Sequence, residues 1–143
     1  MSKPGLSSET IHASAVAING KAVLIGGLSG SGKSDLALRL IDRGAELISD
    51  DYTIVRRTPV GLVASAPLNI AGKIEVRSLG IVELPTASDV PVALFVDLYA
   101  APQRLPEPGE TRSLCGVAVP VVVVNAHENA APIKVELSLK RIT

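Results

Sequence analysis

A glycine-rich octapeptide, residues 27–34, carries the side chains best suited to binding a nucleotide. It satisfies the pattern GxxxxGK[ST] in full. In such a loop, backbone N–H groups curl around a phosphate chain, and the N-terminus of the following helix adds positive potential. We expect Lys33 to reach the β- and γ-phosphates of a nucleotide and the Ser34 hydroxyl to ligate Mg²⁺. The predicted nucleotide-binding residues are Gly27, Leu28, Ser29, Gly30, Ser31, Gly32, Lys33 and Ser34.

The surroundings of this loop favour nucleotide binding over a glycine turn in which the Lys-Ser pair occurs by chance. An apolar run, residues 22–26, precedes the loop and has the character of a strand. Residues 36–43 follow with apolar side chains at helical spacing, an acidic residue in the first turn and Gly44 just beyond the end. Both contexts that the motif requires are therefore predicted.

A pair of aspartates, Asp50 and Asp51, follows the next predicted strand, residues 46–49. Ligands of α/β sheets bind at the carboxyl ends of strands, where this pair would lie. A carboxylate there could hold the Mg²⁺ shell or take a proton from an attacking hydroxyl, whereas the alternative is a solvated Asp-Asp turn. Because successive side chains of an extended segment point in opposite directions, we expect one aspartate to face the phosphates. Asp97, at the end of another apolar run, is a weaker candidate for the metal.

A histidine is predicted beside the loop from hairpin geometry. Asn19-Gly20 separates two strand-like apolar runs, Ile11–Ile18 and Lys21–Gly26, and indicates a two-residue turn, so that Ile18 pairs with Lys21. If the ladder continues without a bulge, His12 lies opposite Gly27. An imidazole there would stand beside the phosphates; the alternative is a histidine at a strand end with no function.

The remaining pattern predicts an α/β fold: a P-loop-containing mixed sheet with an N-terminal β-hairpin leading into the loop. Further strands are expected over residues 52–57, 62–65, 74–84 (broken near Gly80), 91–99 and 117–124, with a surface loop over 100–111. Residues 125–143 combine a helix-start signal with strand-like alternation, and we favour a helix. Residues 1–9 are predicted to be a disordered tail, and residues 10–143 a single domain.

Composition excludes several classes of function. The chain has 143 residues with 14 basic and 14 acidic side chains, so no global field attracts nucleic acid or an anionic membrane. Its aromatic content of 2% is too low for base stacking, and the single cysteine allows neither an intrachain disulfide nor a cysteine zinc site. No apolar run is long enough to span a bilayer. We expect a cytoplasmic protein without nucleic-acid or membrane partners.

These motifs together resemble the HPr kinase/phosphorylase family, which acts on a serine of the phosphocarrier protein HPr. The similarity rests on four features in order: His12, the loop Gly27–Ser34, a helix ending in Arg43-Gly44 followed by Asp50-Asp51, and the string IEVRSLGI at residues 74–81. The last is similar to the family signature IE[IV]RGxG, which other P-loop kinases lack. This similarity covers roughly residues 11–84 and implies a fold like the C-terminal domain of the family, in its short single-domain form.

The resemblance also implies roles for individual residues. Asp51 would deprotonate the substrate serine, and His12, Lys33 and Asp50 would complete the catalytic centre. Ser34 and Glu75 would ligate Mg²⁺. The implied cofactors are ATP and Mg²⁺, the implied substrate is HPr or an HPr-like phosphocarrier protein, and the implied assembly is a hexamer.

Three departures from the family pattern bear on activity. The N-terminal domain of the usual family member is absent from this sequence, and Ser78 replaces a signature glycine. The family also carries an arginine-bearing loop late in the domain that is linked to phosphorolysis. Between Ser113 and Leu139 this sequence has one Lys or Arg, Lys134. The resemblance therefore implies the kinase direction more strongly than the reverse phosphorylase reaction.

Two other functions remain open on the sequence. The string GLSGSGKS is also similar to small-molecule kinases, for example those of gluconate or adenylylsulfate, but these need a basic lid, and no arginine cluster of that kind is present. A non-catalytic ATP-binding sensor is the other alternative. Retention of Lys33, Ser34, both aspartates and Glu75 favours turnover.

Overall fold

The computed structural model of the protein describes residues 7–98 and 109–142. These residues form eleven strands, two α-helices and a 3-10 turn at Leu68–Ile70. The strands are β1 (Ser8–Ile11), β2 (Ala13–Ile18), β3 (Lys21–Gly26), β4 (Glu46–Ser49), β5 (Thr53–Thr58), β6 (Gly61–Ser65), β7 (Lys73–Val76), β8 (Gly80–Glu83), β9 (Val90–Asp97), β10 (Thr111–Leu114) and β11 (Val117–Val123). The helices are α1 (Lys33–Asp42) and α2 (Ala131–Ile142).

β9 is the central strand of a mixed nine-stranded sheet. One edge of β9 pairs in parallel with β3, and the other pairs with β6 antiparallel and then with β11 in parallel. The sheet continues through β2 and β4 beyond β3, and through β5 and β1 beyond β6, while β10 pairs with β11. β7 and β8 form a separate two-stranded sheet. Because β3, β9 and β11 run parallel, their carboxyl ends share one edge, and the glycine-rich loop begins there.

The side chains of the sheet divide into two aliphatic cores, because successive residues of a strand point to opposite faces. Val23 and Ile25 of β3 face the helices, whereas Leu24 faces the other layer. The core on the helical face includes Leu36, Leu40, Leu94, Val96, Val135 and Leu139. The core on the opposite face includes Val55, Leu62, Phe95, Leu114 and Val119.

α1 forms because its apolar residues share one face and its ends match the helix dipole. Leu36, Ala37 and Leu40 are fully buried, at the spacing that one helical face requires. The acidic Asp35 lies in the first turn, and Gly44 (φ 113°) ends the helix in the left-handed conformation that favours glycine. The amino end of α1 is thereby held against the sheet beneath the loop.

Most predicted elements are confirmed. The first hairpin has the predicted register, with Ile18 opposite Lys21, and both turn residues, Asn19 and Gly20, have positive φ. The second hairpin and the strands at 46–49, 91–99 and 117–124 lie within two residues of their predicted bounds, with residue 99 outside the described part of the chain. The favoured helix in the C-terminal segment is α2, which begins at Ala131 rather than beside Asn125.

Three features differ from the prediction. The predicted strand that included Ile11 is interrupted at His12, and the residues before it form β1, which pairs with β5. Ser8 and Glu9 therefore belong to the sheet rather than to a tail. The predicted strand over 74–84 is the β7–β8 hairpin, because the chain reverses where Ser78 has a φ of 68°. The third difference is β10, whose first residue, Thr111, was predicted to lie in the surface loop over residues 100–111. Residues 100–108 of that predicted loop lie outside the described residues.

Neither described helix has the length and hydropathy needed to cross a bilayer.

Candidate active site

The glycine-rich loop connects β3 to α1, as the motif requires. The Leu36 N–H donates to the Gly32 carbonyl at 2.9 Å, which starts the helix at the end of the loop. Gly32 has a φ of 100°, and a Cβ atom at this position would lie 2.9 Å from the Cβ atom of Ala126. Glycine is required here both by the backbone conformation and by the close approach of a neighbouring segment.

Lys33 holds its ammonium group at the mouth of this loop. The side chain is buried, and Nζ donates to the Gly27 carbonyl at 3.0 Å and to the Leu28 carbonyl at 3.3 Å. Nζ also lies 3.8 Å from Oδ1 of Asp51. A compact positive charge is thus fixed between the loop and the carboxylate of Asp51.

Asp50 is buried and ties three elements to the end of β4. Its Oδ1 atom accepts hydrogen bonds from the hydroxyl of Ser34, at the start of α1, and from that of Ser14, in β2, at 3.0 Å. Its Oδ2 atom accepts from the backbone N–H of Glu75 in β7 at 3.1 Å. Asp50 therefore lies directly beside the serine predicted to ligate Mg²⁺.

Asp51, like Asp50, faces the space in front of the glycine-rich loop. The expectation that only one of the two aspartates would face this loop is therefore wrong. Asp51 has a φ of 68°, and the Tyr52 N–H donates to the Asp50 carbonyl at 2.8 Å. The chain turns sharply here, so the alternation of an extended strand does not apply. Oδ1 of Asp51 lies 2.9 Å from Nε2 of His12, and the side chain remains 54% exposed. An exposed carboxylate beside Lys33 is open to a substrate, whereas Asp50 is not.

His12 reaches the site through Asp51 rather than from a position opposite Gly27. The β2–β3 ladder keeps the predicted register and ends at Ala13 and Gly26, one pair before His12. The chain bends at His12, and its ring stacks on that of Tyr52 with the centroids 5.0 Å apart. The prediction placed His12 at the correct edge of the sheet but with the wrong neighbour.

A cavity of about 690 Å³ opens between the loop and these side chains. Its lining residues are Ser29, Gly30, Gly32, Lys33, Ser34, Asp35, Leu38, Asp50, Asp51, Glu75, Val76, Arg77 and His127. Asp97 ends β9 beside Gly26 and is not among them, so the metal candidate that ranked lower is outside the cavity.

The cavity brings together the oxygen ligands that Mg²⁺ prefers. The Ser34 hydroxyl and the Asp50 carboxylate are in hydrogen-bond contact, and Glu75 shares the cavity wall. In the described ranges, no three His, Cys, Asp or Glu side chains form a metal cage. Mg²⁺ in phosphoryl transfer is typically bound by one or two protein oxygens together with phosphates and water, so this donor set fits the ion.

Three neighbours of the site were not identified from the sequence. Ser14 contacts both aspartates, and its signal is a single hydroxyl inside the apolar strand β2. Tyr52 stacks on His12 and directly follows the aspartate pair. His127 lines the cavity, in a segment that Arg39 holds through the backbone carbonyls of Ala126 and Glu128. Neither Tyr52 nor His127 has a spacing that would reveal it.

Comparison with known proteins gives one consistent result. A family model described as HPr Serine kinase C-terminal domain matches residues 6–135, well beyond the residues 11–84 on which the resemblance rested. The HPr kinase/phosphorylase of Limosilactobacillus reuteri is 33% identical over 129 residues, covering 81% of this chain and 40% of that protein. That of Clostridium tetani is 42% identical over 82 residues, covering 57% of this chain and 27% of that protein.

The fold is also similar to that of a solved structure. The structure of the Hpr(Ser) kinase/phosphatase from Coxiella burnetii superposes with a TM-score of 0.78 at 28% identity, covering 93% of this chain and 88% of that chain. The chain spans 27–40% of the length of the two curated relatives described above.

Proposed function

The chain belongs to the family of the HPr serine kinase C-terminal domain, and on this premise we propose that it transfers the γ-phosphoryl group of Mg-ATP to a serine hydroxyl of HPr or an HPr-like phosphocarrier protein. The observation that carries the proposal is the position of Asp51. Its carboxylate is half exposed, lies 3.8 Å from the Lys33 ammonium and is held by His12 at the mouth of the phosphate-binding loop.

The proposed chemistry follows from these positions. The loop and Lys33 bind the phosphates and neutralise their negative charge. The serine oxygen attacks the γ-phosphorus in line, its proton passes to Asp51, and the bond from that phosphorus to the bridging oxygen breaks, leaving ADP. When bound, Mg²⁺ would be held by Ser34, Asp50 and Glu75 and would neutralise charge on the phosphates. His12 keeps the Asp51 carboxylate oriented toward the substrate.

The proposal concerns the forward, kinase direction. Phosphorolysis in this family is linked to an arginine-bearing loop late in the domain. In this chain the segment between Ser113 and Leu139 contains a single Lys or Arg residue, Lys134. The Lys134 ammonium is paired with the Glu128 carboxylate at 3.0 Å. A reverse phosphorylase activity has no comparable support.

The non-catalytic sensor is the second candidate, and the exposed Asp51 argues against it. A protein that only binds nucleotide needs the loop, Lys33 and the Mg²⁺ ligands, but it has no use for a second carboxylate that is open to an acceptor. A small-molecule kinase would use the same groups, and the identity of the acceptor distinguishes it.

The test is transfer of label from γ-labelled Mg-ATP to purified HPr and, separately, to its nitrogen-branch paralogue. We expect phosphoserine on one of the carriers. Lys33→Met should abolish it, whereas Lys73→Met, which removes an exposed ammonium from β7, should not. Tight ATP binding without label on either carrier would favour the sensor or another acceptor and would overturn the proposal.

Location in the cytoplasm and assembly into a hexamer belong to the same proposal. Leu79 and Ile81 of the β7–β8 hairpin are 74% and 70% exposed, which favours an assembly that covers them. Light scattering on the purified protein would test the proposed hexamer, and a monomer at all concentrations would contradict this assembly.

A further inference from the structure

We propose that Ser14 is a positioning residue that holds both aspartates of the site with one hydroxyl group, Asp50 through its carboxylate and Asp51 through its backbone N–H. The inference rests on the proposed function for the roles of Asp50 and Asp51. Ser14 itself touches no substrate in the proposed reaction; it acts through the two aspartates.

The contacts define both directions of hydrogen bonding. Ser14 is fully buried, its Oγ atom lies 3.0 Å from Oδ1 of Asp50, and the same atom lies 3.0 Å from the backbone nitrogen of Asp51. The backbone N–H can only donate, so Ser14 accepts from Asp51. The hydroxyl proton is then free for the Asp50 carboxylate, which only accepts. One hydroxyl thus links the side chain of one aspartate to the main chain of the next.

The sheet places Ser14 at this point. β2 pairs with β4 in antiparallel fashion, with Ala15 opposite Ser49, so Ser14 is the next position toward the aspartates. Its other neighbour, β3, pairs Ser14 with Ile25, which is buried in the core. A hydroxyl in such a strand is costly unless it is hydrogen bonded. Here both of its hydrogen bonds go to the site.

The left-handed turn at Asp51 depends on this contact. A residue with a Cβ atom in that conformation is disfavoured, so it needs partners that hold it. The Asp51 N–H is bonded to Ser14, and the Asp51 carboxylate is bonded to His12. Removing the Ser14 hydroxyl removes one of these two restraints and leaves the loop and Lys33 unchanged.

Thr53 offers a matched control. It is also fully buried, lies two residues beyond Asp51, and donates its hydroxyl to the Ala13 carbonyl at 2.8 Å rather than to an aspartate. Thr53→Val removes one buried hydroxyl from the same region, as Ser14→Ala does. An effect of general destabilisation would be common to both variants, whereas an effect of positioning would be confined to Ser14.

The first measurement is amide hydrogen exchange by NMR on the nucleotide-free protein. We expect Ser14→Ala to accelerate exchange of the Asp51 amide about tenfold, the consequence of losing one hydrogen bond to a buried group. Exchange of the Ile25 amide should be unchanged, and Thr53→Val should leave the Asp51 amide as in the wild type. Should Ser14→Ala fail to fold, Ser14→Cys, whose sulfur is a weak partner, should give the same direction of change.

The second measurement is the Mg²⁺ concentration that half-saturates the increase in ADP affinity. Asp50 loses a donor in Ser14→Ala, so we expect this concentration to rise about tenfold, with ADP affinity in EDTA unchanged. Neither readout requires phosphoryl transfer. If the wild type transfers no phosphate but both shifts occur, the proposed acceptor is wrong and Ser14 remains a positioning residue. Unchanged Asp51 exchange, or equal shifts in Thr53→Val, would overturn the inference.

Discussion

The Nε2 atom of His12 lies 2.9 Å from Oδ1 of Asp51, although 39 residues separate the two in the sequence. Because a carboxylate accepts and does not donate, the proton between them would reside on the imidazole. This contact joins the bend between β1 and β2 to the turn after β4. The carboxylate proposed as the base is therefore oriented by a side chain from a different part of the sheet.

Asp51→Asn should lower the rate of phosphoryl transfer about 100-fold or more, because an amide cannot accept the serine proton. ATP affinity should stay unchanged, since the loop and Lys33 are intact. Single-turnover transfer and a binding titration would separate the two quantities. Asp42→Asn, which removes an exposed carboxylate from the end of α1, is the control. An unaltered rate in Asp51→Asn would assign the base elsewhere.

Glu75→Gln should raise the Mg²⁺ requirement of nucleotide binding roughly tenfold, because a charged oxygen ligand becomes neutral. Glu83→Gln removes an exposed carboxylate from the same hairpin and should have no effect. The measurement is ADP affinity over a range of Mg²⁺ concentrations. If both variants behave alike, Ser34 and Asp50 hold the ion without Glu75.

Gly32→Ala should lower the free energy of unfolding by more than Gly30→Ala does. Both glycines have positive φ, so each substitution costs about 1–2 kcal/mol for the left-handed backbone. A Cβ atom on Gly32 also meets Ala126 at 2.9 Å, whereas one on Gly30 has no atom within 4 Å. Urea unfolding of the nucleotide-free variants measures the difference. Equal losses would mean that the segment around Ala126 can move away.

The Cys115 thiol should react slowly with thiol reagents in the folded protein. Burial raises its pKa above the ordinary 9.0, and the carboxylate of Glu9, which accepts from the Cys115 N–H, adds to this effect. The thiol is therefore neutral and inaccessible at neutral pH. Modification should be faster in urea, at the rate of an exposed cysteine. Comparable rates in both conditions would contradict the burial of this turn.

The same pKa shift gives a pH dependence of stability. The folded protein holds the thiol neutral at a pH where the unfolded chain already ionises, so the raised pKa stabilises the fold below about pH 9. That contribution is lost as the pH rises through the folded value. Cys115→Ser should flatten the fall in the free energy of unfolding on the alkaline side.

The sequence predicted the parts of the site that depend on spacing along the chain. The loop from Gly27 to Ser34 and the register that pairs Ile18 with Lys21 are local patterns, and both are present. The turn at Asp51 was not predictable, because its positive φ is imposed by contacts with Ser14 and His12 from distant strands. The prediction of alternating side chains assumed an extended backbone through both aspartates, whereas β4 ends at Ser49 and the chain turns at Asp51.

The missed strands have a related cause. β1 has no fully buried side chain and one apolar residue that packs partly against the core, Ile11, and it is held by its pairing with β5, so its sequence carries no periodic signal. β10 pairs with β11 around Cys115 and Gly116, both with positive φ, a turn that cysteine rarely adopts. The alternation of Ile133, Val135, Leu137 and Leu139 had suggested a strand in the C-terminal segment. In α2, Ile133 and Leu137 are exposed, while Val135 and Leu139 are buried.

The stacking of Tyr52 on His12 gives the protein an intrinsic fluorescent probe of the site. The chain has no tryptophan and two tyrosines, so its near-ultraviolet emission comes from Tyr52 and Tyr99. Tyr52 lies 5.0 Å from an imidazole that contacts Asp51, and its emission is therefore sensitive to events at this carboxylate. In a Tyr99→Phe background a single fluorophore would follow nucleotide and acceptor arrival in real time, without any attached label.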